Sequence, residues 1–93
     1  MNTQFLIVSY DISSSRRRRK VMKTLEGYGE RVQYSVFECN LAPKKIEEMR
    51  RRLAKLISPK DSLRIYFLSA DDVKRILRMG DPRVMADKIY IMQ

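Results

Sequence analysis

Histidine is absent from the 93 residues, and cysteine occurs once. Without imidazole the usual near-neutral proton carrier is missing, so a hydrolase built on this chain would need a carboxylate, a tuned lysine or a metal-activated water. The single Cys39 permits no intramolecular disulfide and reads as a small core hydrophobe in a reducing cytoplasm. No Walker-type glycine loop, Cys/His metal cluster, internal repeat or low-complexity linker is present. No apolar run nears the roughly 20 residues of a membrane helix. The opening Met1-Asn2-Thr3-Gln4 has no basic region of a signal peptide, so a soluble, cytoplasmic protein is expected.

Acidic residues are scarce beside basic ones. Asp and Glu total 11 against 20 Lys and Arg, a net charge of +9 with a pI of about 10.1. Such an excess points to a polyanionic partner, most often nucleic acid, although ribosomal-type packing or membrane-surface binding would produce the same total. The length predicts one domain, residues 1–93, near the lower limit for a core without staples; a dimer would help it.

The stretch from Phe5 to Phe37 organises the chain. Phe5-Leu6-Ile7-Val8-Ser9-Tyr10 is the β-branched and aromatic run of a central strand. It ends at Asp11, a carboxylate where backbone leaves the sheet. A helix follows, capped within Ser13-Ser14-Ser15 and expected to end at Gly29. Val21, Leu25 and Tyr28 form its buried stripe. Extending that stripe back one turn reaches Arg17, with Arg18 on its flank, so both face the edge of the sheet that holds Asp11. They are either solvated, or paired with Asp11, or aimed at a phosphate. Cations in a first helical turn oppose the macrodipole by some tenths of a kcal/mol each, a conflict that a bound phosphate would remove.

In Arg31-Val32-Gln33-Tyr34-Ser35-Val36-Phe37-Glu38-Cys39, Val32, Tyr34 and Val36 alternate against Arg31, Gln33, Ser35 and Phe37. This is one long strand, or two short ones turning near Gln33 to Ser35. Its Arg31 face, carrying Phe37, suits either a surface that meets a partner or a plain solvent face. Pro43 opens a second helix with the buried stripe Ile46, Met49, Leu53 and Leu56. Glu47 with Arg51 and Glu48 with Arg52 are spaced as i, i+4 pairs. A turn at Ser58-Pro59-Lys60-Asp61 leads to a strand from Leu63 to Leu68, then a short helix from Asp71 to Met79. Lys88 to Met92 reads as a last strand in need of a sheet edge, within its own chain or, as the small core favours, across a two-fold axis.

At Tyr10-Asp11-Ile12, at Arg17-Arg18 with Lys20, and at Gly29-Glu30-Arg31-Val32-Gln33-Tyr34-Ser35-Val36-Phe37-Glu38-Cys39, the sequence resembles the small adaptation subunit of CRISPR immunity, the Cas-two family. The resemblance runs essentially the full length, and the Val-Gln-Tyr-Ser-Val-Phe-Glu stretch is its most specific part. It implies an α+β, ferredoxin-like βαββαβ sandwich with an extra C-terminal strand, and so favours two strands between Arg31 and Leu41. It also implies a homodimer in which segment 82–93 pairs with the partner. By the same resemblance, Asp11 faces its two-fold mate and holds magnesium, Tyr10 adjoins that site, and Arg17, Arg18, Arg31 and Phe37 serve nucleic-acid contact or activity. Where many relatives carry acidic residues, this chain has Ser13-Ser14-Ser15, so the ion would lean on water and substrate phosphates.

The implied role is a DNA-binding subunit that bridges dimers of the CRISPR integrase and holds the protospacer duplex during spacer acquisition. A magnesium-dependent endonuclease activity on single-stranded RNA or double-stranded DNA is implied beside it. The alternatives are a toxin-like ribonuclease or a non-catalytic ferredoxin-like RNA-binding module. The latter would stack bases on exposed aromatics, for which the sequence offers mainly Phe37.

Overall fold

The computed structural model describes residues 2–80. The expected strand at 88–92 and the pairing segment 82–93 lie outside them. Strand β1, Gln4–Asp11, leads through Ser14 into helix α1, Ser15–Glu26. Strands β2, Gly29–Gln33, and β3, Val36–Leu41, form a hairpin. Helix α2, Pro43–Ala54, strand β4, Ser62–Leu68, and the short helix α3, Ala70–Lys74, complete the order. The strands make one antiparallel sheet in the order β2-β3-β1-β4. This is the ferredoxin-like βαββαβ arrangement.

Both long helices cover one face of the sheet. Leu6, Val8 and Tyr10 of β1 point into it and meet Phe37 and Cys39 of β3, Val21 and Leu25 of α1, and Met49 and Leu53 of α2. Alternation therefore sends Ile7, Ser9 and Asp11 to the opposite, open face. Asp11 is exposed there, in register with Ser62, while Ser9 is in register with Arg64.

Helix α1 follows its expected stripe, with Val21 and Leu25 buried, but it stops at Glu26, three residues before Gly29. Gly29 instead begins β2, because a Cβ there would lie 2.3 Å from the Glu38 carbonyl oxygen and 2.5 Å from Cys39 Sγ. The strand must cross β3 at that point with no side chain. Helix α3 is likewise shorter than expected, ending at Lys74 rather than Met79, although a reciprocal capping box between Ser69 and Asp72 secures its start. Within α2 the Glu47–Arg51 pair forms at 3.6 Å. The expected Glu48–Arg52 pair is replaced by a shared partner, since the Tyr28 hydroxyl donates to Glu48 and accepts from Arg52 at 3.0 Å.

The hairpin corrects a further expectation. Tyr34 and Ser35 form the turn between β2 and β3, and the register shifts by a residue between Arg31 and Gln33. Arg31 and Phe37 still stand opposite each other, so they share the face that the helices cover. Phe37 accordingly points into the core and is fully buried, whereas Tyr34 is 67% exposed.

Candidate nucleic-acid interface

The C-terminal end of β1 is the meeting point of α1's first turn, the β2–β3 turn and the start of β4. The Ser14 side chain caps α1 by accepting from the Arg17 backbone N–H at 3.2 Å. No acidic residue occupies that first turn. The positive end of the helix dipole and the run Arg16 to Lys20 therefore add their fields.

Each of the expected arginines is held differently. Arg17 does not pair with Asp11; its Nε and Nη2 donate to Asp61 at 2.8 and 3.0 Å. The Asp61 side chain is fully enclosed and also accepts from the Ser58 backbone at 2.9 Å. The Arg17 guanidinium, followed by that Ser58 bond, holds the Asp61 carboxyl at about 2. Arg17 thus braces α1 against the entry to β4, and one edge of its guanidinium is occupied.

Arg18 turns back over the chain and donates to the Ile12 carbonyl at 2.9 Å. Arg31 donates twice to the Tyr34 carbonyl, at 3.0 and 2.9 Å, and lies 5.3 Å from the Tyr34 ring centre. The Arg18 guanidinium approaches the same ring at 5.9 Å. The Tyr10 backbone N–H donates to the Ser35 carbonyl at 3.1 Å, which ties the turn to the end of β1. Together these groups border a cleft of about 160 Å³ lined by Tyr10, Ser15, Arg18, Arg19, Met22, Arg31 and Tyr34. Burial raises the Tyr10 hydroxyl above its ordinary value, against the pull of Arg31 and Arg18.

Of the residues expected at the site, Tyr10, Arg18 and Arg31 therefore converge on this cleft. Arg17 stands beside it in an ion pair. Phe37 belongs to the core beneath, stacked on Tyr10 with ring centres 6.4 Å apart, and offers no surface for direct contact. Asp11 points to the other face of the sheet, so its chemistry and that of the cleft are separated by the sheet itself. Tyr34 and Asp61 were not anticipated. Tyr34 follows from the turn that the undecided strand left open, whereas nothing local marks Asp61 as a partner for Arg17.

Among the described residues no group of three or more His, Cys, Asp or Glu could hold a metal ion. Asp11 of one protomer is a single exposed carboxylate, too little by itself. Magnesium, however, keeps several waters and takes one or two carboxylates plus phosphate oxygens. A pair of Asp11 side chains would therefore be a sufficient protein donor set.

Residues 4–76 match the model of the CRISPR associated protein Cas2 family. The chain belongs to that family. A relative from Synechocystis sp., named a CRISPR-associated endoribonuclease Cas2, is 48% identical over 77 residues, covering 82% of this chain and 84% of its own. The crystal structure of Streptococcus pyogenes Cas2 superposes with a TM-score of 0.72 at 35% identity, covering 82% of this chain and 99% of that one. A chain of a partial Cas6-RT-Cas1–Cas2 complex gives a TM-score of 0.74 at 26% identity, over 82% and 90% of the two chains. The Cas2 match includes both Asp11 and the cleft. Among the described residues no helix is long and apolar enough to cross a membrane.

Proposed function

We propose that this Cas2-family chain acts in CRISPR adaptation as a homodimer that binds the protospacer duplex and bridges dimers of the integrase subunit. A magnesium-dependent endonuclease reaction at Asp11 is a second activity. The observation that carries the binding role is the convergence of Arg18, Arg19 and Arg31 on one cleft, in a chain whose net charge is +9. Likeness to a chain of a Cas1–Cas2 complex supports the integrase as partner.

Arginine guanidiniums suit phosphate oxygens because their planar N–H groups match two acceptors at once. Each phosphate neutralised releases condensed counterions, so affinity for duplex DNA falls with salt at a slope of about −0.9 per neutralised phosphate, with little sequence preference. Arg18 and Arg31 are already oriented by the Ile12 and Tyr34 carbonyls, which lowers the entropy lost when DNA arrives.

The nuclease reading rests on the exposure of Asp11 and on the endoribonuclease name of the Synechocystis relative. Asp11 from each of two protomers would hold magnesium, which when bound supplies Lewis acidity to a phosphodiester. Asp11 itself binds and orients the ion. The arginines of the cleft, on the opposite face of the sheet, position the nucleic acid rather than contact the same phosphate within one protomer.

The test is cleavage of single-stranded RNA and duplex DNA by wild-type and Asp11→Asn protein, each with magnesium and with chelator, beside duplex binding across a salt series. Cutting that disappears on both substitution and chelation, with duplex binding intact, is the expected result. Cutting that persists in Asp11→Asn overturns the nuclease assignment. Arg18→Glu and Arg31→Ala should weaken binding on all sequences and flatten the salt slope by about one for each phosphate that is no longer neutralised. An unchanged slope in both overturns the cleft as the duplex-binding surface.

A further inference from the structure

We infer that the cleft at the start of α1 is a site for an unpaired nucleotide, with its phosphate among the arginines and its base stacked on Tyr34. This rests on the nucleic-acid reading above and narrows it to a class of ligand, a single-stranded segment or a frayed end. Three observations lead to it.

The aromatic that the sequence offered for stacking, Phe37, is fully buried, and the ring beside the arginines is Tyr34, 67% exposed. An aromatic on a turn gains nothing by standing in water, where its apolar area is wasted. Here the side chain is also held in place. Arg31 fixes the turn through two hydrogen bonds to the Tyr34 carbonyl and sets its guanidinium 5.3 Å from the ring centre. A ring bordered by two cations, Arg31 and Arg18, and still largely exposed is a prepared stacking surface, because little rotamer freedom remains to be lost.

The cleft beside it has the charge for a phosphate group. Arg18, Arg19 and Arg31 reach it from two elements. Tyr10 lines it too, with a hydroxyl that burial keeps protonated and able to donate. A nucleotide whose phosphate meets these arginines has its base within reach of Tyr34, which borders the cleft. In a duplex the base faces are stacked on one another and unavailable, so only an unpaired base can use the ring.

The experiment compares affinity for a short single-stranded oligonucleotide and for a blunt duplex of the same length, by fluorescence anisotropy at one ionic strength. The proteins are wild type, Tyr34→Phe, Tyr34→Leu and Tyr34→Ala. Loss of one stacked base is worth about 5- to 150-fold in affinity. The expected result is a loss in that range for the single strand in Tyr34→Leu and Tyr34→Ala, a clearly smaller loss for the duplex in the same two variants, and no loss on either ligand in Tyr34→Phe. Equal losses on both ligands, or retention of single-strand affinity in Tyr34→Leu, overturns the proposal. Photocrosslinking of wild-type protein to a single strand carrying 5-iodouracil removes any dependence on variant folding. A crosslink mapped to Tyr34 supports the site, and crosslinks confined to other residues overturn it. Absence of wild-type duplex binding would overturn the duplex-binding role alone, since single-strand affinity and its dependence on Tyr34 are read separately.

Discussion

Arg17 and Asp61, 44 residues apart, share a two-point ion pair with distances of 2.8 and 3.0 Å. The pair joins the first turn of α1 to the residue that precedes β4, and Ser62, the next residue, lies in register with Asp11. One interaction thereby ties the mouth of the cleft to the strand beside the candidate metal ligand.

That pair should register in the pH dependence of stability. The Asp61 carboxyl is held at about 2 by Arg17 and the Ser58 N–H, below the roughly 3.9 of an unfolded aspartate. Its contribution is therefore fully present above about pH 4 and is lost as pH falls from there through about 2. Thermal melts of wild type should decline through this window, and those of Asp61→Asn should start lower and decline less. Parallel curves would show that the pair contributes nothing to folding.

Gly29→Ala should destabilise the fold by about 1–3 kcal/mol or more, as overpacking does. The added Cβ would meet the Glu38 backbone at 2.3 Å, and a sheet backbone yields less readily than a side-chain tip. The midpoint of urea unfolding is the measurement. By contrast, Gly27→Ala, whose Cβ would come no nearer than 3.4 Å to the Thr24 oxygen, should shift it little.

Phe37 should behave as a core residue. Phe37→Ala is expected to cost about 3–5 kcal/mol and to lose nucleic-acid binding through folding. Phe37→Leu, which keeps most of the apolar volume, should lose less stability and retain binding when assayed well below its melting temperature. Binding lost in a stably folded Phe37→Leu would instead assign the ring a direct role in binding.

Cys39 should be inert in the native state. Burial, with a smaller effect of Glu38, pushes its thiol up to about 11, and the side chain lies in the core at 2% exposure. Maleimide at pH 7.5 should label it only after denaturation. Rapid native labelling would mean that β3 opens locally.

Much of the fold was legible because it rests on local periodicity. The buried stripes Val21, Leu25, Tyr28 and Met49, Leu53 fall where 3.6-residue spacing places them, and the family motifs around Asp11 and Val32 to Glu38 imply the ferredoxin-like order. The candidate site was legible in composition but not in arrangement. Arg18 and Arg31 come to one cleft with Tyr10, as expected of a shared site, yet Phe37 and Tyr34 exchange places.

The sequence by itself determined the elements, the excess of positive charge and the family, since each is set by residue type and near-neighbour spacing. Only the tertiary structure decided which aromatic is exposed, which carboxylate Arg17 meets, and which face of the sheet Asp11 occupies relative to the cleft. The physical reason is that period-two alternation carries no absolute phase. Arg31 and Phe37 share a face, yet helix packing buries Phe37 on the inner strand β3 and leaves Arg31 exposed on the edge strand β2. Partners like Arg17 and Asp61 are chosen by the packing of distant elements, which local spacing does not encode.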